Sequence, residues 1–137
     1  QASIRSTVVD HSSQLLLLTG DVEVIGIDEA QFFDDGLPEV CNQLANQGIR
    51  VIIAGLDMDY MGRPFGPMPQ LLAIAEFVTK VHAICVQTGN LANYSYRHVP
   101  GDSVVQLGEK ESYVPLSRMA FNQAMQQRKQ EDKEENA

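Results

Sequence analysis

The chain has 137 residues, 44% of them hydrophobic, and a net charge of -8 from 18 acids against 10 bases. One domain with a real core is the default at this size. The acidic balance leaves no basic stripe for nucleic acid, and no run approaches the ~18 apolar residues of a membrane span. Nothing at the start resembles a signal peptide. The two cysteines, Cys41 and Cys85, are far apart in sequence. They suggest a reducing compartment, hence a cytoplasmic location, rather than a disulfide framework.

In chain order, Ile4 to Val9 reads as a short strand, and Leu15 to Leu18 lead to a turn at Thr19-Gly20-Asp21. Val22 to Ile27 is a near-continuous apolar run, of the kind found in strands covered on both faces. Leu37, Val40, Cys41, Leu44 and Ala45 fall at helical spacing. Asp34 or Asp35 can cap that helix, Pro38 suits its first turn and Gly48 its stop. Arg50 to Gly55 predicts a second buried strand. Strand, helix and strand in this length make a βαβ unit and a parallel sheet. Residues 56–67 read as a long loop, Pro69 to Val78 as a helix, and Lys80 to Val86 as a third strand. Asn90 to Pro100 is loop-like, Ser103 to Leu107 a short strand, and Leu116 to Gln127 an amphipathic helix. The end, RKQEDKEENA, reads as a frayed helix end or solvated tail.

VEVIGIDEAQFFDDG carries an apolar strand straight into Asp28-Glu29. Ligands of open α/β sheets bind outside the carboxyl ends of the strands. An apolar run ending in Asp is also the arrangement whose carboxylate holds Mg²⁺ beside nucleotide phosphates. The alternative is that the two acids simply begin an exposed loop. The partner motif is absent: no glycine in the chain is followed by lysine, so G-x-x-x-x-G-K-[ST] does not occur.

VIGIDEAQFF, VIIAGLDMDYMGRPFGPMPQLLAIAEFVTKVHAICV, NLANYSYR and LGEKESYVPLSR, in this order and spacing, resemble thymidine kinase of the class shared by bacteria and the animal cytosol. The resemblance covers roughly residues 4–121. It implies a P-loop NTPase-like α/β fold, with a mostly parallel sheet, helices on both faces, and a small C-terminal lasso subdomain with a degenerate zinc-ribbon. It also leads us to expect that an N-terminal P-loop segment precedes Gln1. The expected divisions are 1–84 for the kinase domain, 85–121 for the lasso and former zinc subdomain, and 122–137 for a charged helical end or disordered tail.

The resemblance implies transfer of the γ-phosphate of ATP to the 5′-hydroxyl of thymidine, with Mg²⁺ as the cofactor and a homotetramer as the assembly. Asp28 takes the Mg²⁺ position and Glu29 that of the general base. Gln31, Phe32, Leu56 and Tyr60 take positions lining the nucleoside pocket, with Phe32 against the pyrimidine face. Tyr94 and Ser95 fall where lasso backbone bonds the base edge, and Tyr113 where a tyrosine contacts the sugar. Core packing is the competing role for each aromatic.

Many family members hold Zn²⁺ with two pairs of cysteines, which fall here at Cys85, Thr88, Ser117 and Ala120. One thiolate of four remains, so no zinc is expected. His82 and His98 do not recreate the spacing. Packing of Val86, Met119 and Phe121 is the expected replacement, with Cys85 a small buried hydrophobe. Two other readings stay open: a catalytically inactive pyrimidine-nucleoside-binding module, in which Glu29 has no task, and an ATPase remnant serving as a scaffold.

Overall fold

A computed structural model describes residues 2–98 and 113–137. The chain forms two compact units: Gln1–Asp57 with Pro64–Val78, and Met58–Arg63 with Thr79–Ala137. The division therefore falls ahead of the 84/85 boundary read from the sequence, and a piece of the 56–67 loop belongs to the second unit. The expected strand at Ser103 to Leu107 lies outside the described residues.

In the first unit, β1 (Val24–Ile27) and β2 (Arg50–Ile53) pair in parallel, with Val24 opposite Arg50 and Ile27 opposite Ile53. The helix between them, α1 (Leu37–Asn46), makes this the expected βαβ unit. Leu37, Val40, Cys41 and Leu44 lie on one α1 stripe and are buried with Leu15, Ile27, Ala30, Ile49, Met68 and Leu71. Gly48, at φ +84°, ends α1 in a conformation that costs a side chain dearly. The sheet is covered less fully than the apolar run predicts: Val24 is 50% exposed. Only one buried side chain, Ile27, comes from the four residues of β1.

The segment before β1 departs from the sequence reading. Residues 2–9 form no strand, and Ile4 and Val8 lie exposed; among the described residues no strand pairs with this segment. Ser12–Leu18 is a 3₁₀ helix, and it leads to the expected turn at Thr19-Gly20-Asp21, closed by the Val22 N–H on the Thr19 carbonyl at 2.8 Å. Its anchor is Asp34, whose carboxylate accepts from the Ser12 N–H (2.8 Å), the Ser12 hydroxyl (2.6 Å) and the Gly36 N–H (3.1 Å). Asp34 thus serves the start of α1, although Gly36 is the cap residue itself. His11 Nε2 lies 3.3 Å from the same carboxylate.

Partial burial pushes the Asp34 carboxyl up, but the bonds from Ser12 and Gly36 outweigh it and hold it below the usual value. A pKa lower in the folded state stabilises above the unfolded value of about 4, and that stability is lost as pH falls through the folded value. Asp34→Asn should therefore cost about 1–2 kcal/mol near neutral pH and almost nothing in strong acid. Thermal melts of both proteins at about pH 7 and about pH 3 check this. An equal gap at both pH values would remove Asp34 from the acid response.

The second helix, α2 (Met68–Ile74), is shorter than the predicted Pro69–Val78. Ala75 turns extended, and Phe77 is 93% exposed. The predicted third strand shrinks to β3 (Ala83–Ile84), which pairs antiparallel with β4 (Leu91–Ala92) and not with the parallel pair. The stretch expected as loop also contains β5 (Tyr94–Arg97), antiparallel to β6 (Tyr113–Leu116). Tyr94 and Tyr96 alternate inward with Ser95 and Arg97, which is the strand period of two.

The third helix, α3 (Arg118–Glu135), runs straight through the expected 121/122 boundary and far into the charged end. Ser117 caps it, its hydroxyl accepting from the Ala120 N–H. Ala120, Phe121 and Ala124 bury its first turns against Tyr94, Tyr96, Val114 and Leu116. Arg128 extends the hold, donating to the Tyr96 hydroxyl and the Arg97 carbonyl, each at 2.7 Å. No helix among the described residues is long and apolar enough to cross a membrane.

Candidate functional site

The sequence-predicted residues divide between the two units. Asp28, Glu29, Gln31, Phe32 and Leu56 belong to the first; Tyr60, Tyr94, Ser95 and Tyr113 belong to the second.

In the first unit the chain leaves β1 at Ile27 and turns at once. Asp28 Oδ1 accepts from the Glu29 N–H at 2.9 Å, and both acids are exposed. Glu29 adopts φ 51°, ψ 42°, the left-handed region, and is the only non-glycine residue with positive φ among the described residues. That conformation costs a side-chain-bearing residue roughly 1–2 kcal/mol. Backbone strain of this kind persists only where the surroundings fix it. Here the Ala30 N–H is held by the Ala54 carbonyl beyond β2, at 3.0 Å.

Gln31 fixes the carboxylate. Its Nε2 donates to Glu29 Oε2 at 2.5 Å, and its Oε1 accepts from the Leu56 N–H at 3.0 Å. Only 2% of Gln31 is exposed. It links the end of β1 to the loop after β2. Phe32 and Leu56, by contrast, present free surface: 72% and 50% of each is exposed. The Phe32 ring meets Phe65 edge-on, with centroids 5.5 Å apart. One face of an aromatic anchored at its edge remains available for stacking.

Sequence reasoning missed Gly66. A Cβ there would collide with the Gln31 carbonyl oxygen, and its φ is +49°. The RPFG string lies in the predicted 56–67 loop, where a glycine supplies positive φ at no steric cost.

In the second unit, Met58–Arg63 is a tight turn organised by Asp59, a second residue that sequence reasoning passed over. Its Oδ1 accepts from the N–H groups of Met61 (2.9 Å) and Arg63 (3.0 Å). The D-x-x-G spacing of Asp59 and Gly62 is the legible cue, because Asp bonds its own backbone two residues on. Tyr60 rides on this turn with the Arg97 guanidinium 5.3 Å from its ring centroid.

The Tyr94 side chain is buried and stacks on Phe121 at 4.4 Å, so its ring packs in the core. Its backbone, and that of Ser95, are what a ligand could meet. Ser95 pairs with Pro115. The Pro115 carbonyl takes the Val86 N–H at 3.4 Å on the side away from β5, so Ser95 and Pro115 form a non-hydrogen-bonded pair and the proline costs this ladder nothing. Tyr113 pairs with Arg97 in the same ribbon and is 53% exposed.

The same unit gathers Cys85, Thr88, Ser117 and Ala120. The Thr88 hydroxyl bonds the Ser117 hydroxyl at 3.3 Å, and the Ser117 hydroxyl accepts from Ala120 N–H at 3.4 Å. Burial pushes the Cys85 thiol up, but the Thr88 hydroxyl and the backbone N–H groups of Ser117, Thr88 and Gln87 outweigh it and hold the thiol down to about 6. Cys85 is 2% exposed and packs in one cluster with Ala92, Tyr94 and Tyr96. The expected packing does not form as a group: Phe121 is buried, while Val86 and Met119 are 53% and 58% exposed. Cys41, by contrast, is pushed up to about 11 by burial.

A family model described as thymidine kinase matches residues 2–121. Curated thymidine kinases are similar over most of the chain. That of Bacteroides thetaiotaomicron is 62% identical over 122 residues, 89% of this chain and 61% of the relative. That of Bacteroides fragilis strain YCH46 is 60% identical over 125 residues, covering 91% and 63%. That of Porphyromonas gingivalis strain W83 is 61% identical over 119 residues, covering 87% and 58%. The chain spans about three-fifths of the length of these curated relatives.

Proposed function

The chain belongs to the thymidine kinase family, and from that premise we propose that it carries the acceptor half of a nucleoside kinase that phosphorylates thymidine from ATP. The observation that carries this reading is the Asp28-Glu29 turn, where a strained Glu29 is held by the buried Gln31 directly before the exposed Phe32. Such a carboxylate can take the proton of the thymidine 5′-hydroxyl as that oxygen attacks the γ-phosphorus of ATP and ADP leaves. The bond formed is O5′–P; the bond broken joins the γ-phosphorus to its bridging oxygen.

In the first unit, Phe32 is the residue for the pyrimidine face, with Leu56 as its apolar neighbour in role. In the second unit, Tyr60, the Tyr94 and Ser95 backbone and Tyr113 are the residues that the resemblance gives to the nucleoside. Buried donors and acceptors of this kind reject bases that leave them unpaired. Asp28 fits Mg²⁺ on its chemistry, since one carboxylate oxygen takes the Glu29 N–H and the exposed side chain leaves the other to a hard cation that prefers oxygen and water. When bound with ATP, Mg²⁺ supplies charge neutralisation on the phosphates. No G-x-x-x-x-G-K-[ST] cradle for those phosphates occurs in these residues.

The finer fold reading also belongs to this proposal: a P-loop NTPase-like domain with a lasso subdomain, working in the cytoplasm as a homotetramer. A nucleoside-binding module without transfer is the weaker reading, because a pure binder has no use for a strained carboxylate beside the pocket. The product of the complete reading frame should convert thymidine to its monophosphate in the presence of ATP and Mg²⁺. Thymidine binding without transfer would support the binding module, and neither binding nor transfer would end both readings.

Phe32→Ala should raise KM for thymidine by about 5- to 150-fold, the scale of one base–aromatic stack. Its kcat should change little, because stacking acts alike on the ground and transition states. An unchanged KM in steady-state kinetics would take Phe32 out of the pocket.

A further inference from the structure

The family's four metal-ligand positions converge in this fold, yet the residues there do not fit zinc. Cys85 supplies one thiol, Thr88 and Ser117 supply hydroxyls, and Ala120 supplies no donor atom. A structural zinc site closes with four nitrogen or sulfur ligands in a tetrahedron. The donors present are already committed elsewhere. The Ser117 hydroxyl accepts the Ala120 N–H as the α3 cap and meets the Thr88 hydroxyl at 3.3 Å. The Thr88 hydroxyl also accepts from the Asn90 N–H at 3.3 Å.

We propose that this hydrogen-bonded cluster of Cys85, Thr88 and Ser117 is a metal-free staple that replaces zinc in joining the turn at residues 85–90 to the start of α3. The turn closes on itself through Cys85 N–H to the Asn90 carbonyl (2.7 Å) and Gly89 N–H to the Cys85 carbonyl (2.9 Å). The staple then spans 29 residues of sequence, from Thr88 to Ser117. It reaches β6 as well, through Val86 N–H to the Pro115 carbonyl at 3.4 Å. Polar cross-links of this kind are effective where the surroundings exclude water, and Cys85 and Ser117 are both buried. The staple also ties the turn to the β5–β6 ribbon that carries Ser95 and Tyr113, so a metal-dependent anchor becomes a metal-independent one.

Three measurements on the product of the complete reading frame test the staple. The wild-type protein should hold well under one Zn²⁺ per chain by elemental analysis, with the same Tm before and after chelation. Stoichiometric zinc, or a Tm that falls on chelation, would overturn the proposal. Thr88→Val removes the hydroxyl and keeps the shape. It should lower Tm by about 2–4 °C, the scale of one buried hydrogen bond in a protein of this class, and speed amide exchange at residues 85–90. Unchanged Tm and exchange would mean that the cluster staples nothing. The triple variant Thr88→Cys, Ser117→Cys, Ala120→Cys should take up one Co²⁺ with thiolate charge-transfer bands and become sensitive to chelation. A folded triple variant that binds no metal would show that the four positions do not converge as required.

Discussion

Replacing Glu29 by Gln in the complete protein should lower kcat by roughly 10²–10⁴-fold, the scale of a positioned acid–base group. KM for thymidine should stay close to the wild-type value, because Gln is nearly isosteric and Phe32 is untouched. The geometry sharpens the expectation. Gln31 Nε2 donates to the Glu29 carboxylate. In the variant it can still donate to the oxygen of the introduced amide, so the arrangement survives while the proton acceptor is lost. The Ala30 N–H on the Ala54 carbonyl, which braces the left-handed backbone, is left in place by the substitution. Steady-state kinetics with thymidine and Mg·ATP decide it: near-normal turnover would remove Glu29 from the base role.

Gly66→Ala should be the most damaging single change in the first unit outside the acids. The new methyl would press on the Gln31 carbonyl oxygen, a backbone atom with no rotamer to escape into. The φ of +49° adds its own penalty of about 1–2 kcal/mol for any side chain. With the forced shift of backbone, the total is about 2–4 kcal/mol. The second effect falls on catalysis, since Gln31 positions Glu29 and a displacement on the order of 1 Å can cost ~10²-fold in rate. Stability to chemical denaturation and kcat should therefore fall together. Full stability in Gly66→Ala would mean that the loop does not pass Gln31 as the structure places it.

The βαβ unit was legible because α1 obeys a single rule throughout: apolar spacing, proline at the start, glycine at the stop. The strand at Lys80 to Val86 misled because Val81 and Val86 have strand-forming side chains, while the regular ladder spans only Ala83 and Ile84. Propensity describes what a residue tolerates, and pairing needs a partner edge. β5 was missed for the opposite reason. NLANYSYR is rich in polar and turn-forming residues, and only the alternation of Tyr94 and Tyr96 marks it. At the candidate site, Asp28 and Glu29 were legible as exposed acids at a strand end, with Phe32 close behind them. The task of Gln31 was not, because nothing in the sequence says that its two ends reach Glu29 and Leu56. Asp59 and Gly66 act through backbone shape, which a residue list conceals.

The excursion of Met58–Arg63 into the second unit has a consequence for the order of synthesis. The first unit has all its residues once Val78 has left the ribosome. The Asp59 turn does not have its partners then. Gly62 packs against Tyr94 and Phe121, and Phe121 is made 43 residues after Val78 (121 − 78). At ~5–20 residues per second, that is a wait of roughly 2–9 s. For that interval the segment bearing Tyr60 hangs as an open loop from an otherwise complete nascent body, where protease and chaperone can reach it. Stalled ribosome complexes probed by limited proteolysis should be cut at residues 58–63 when stalled near residue 115, and spared once α3 has emerged.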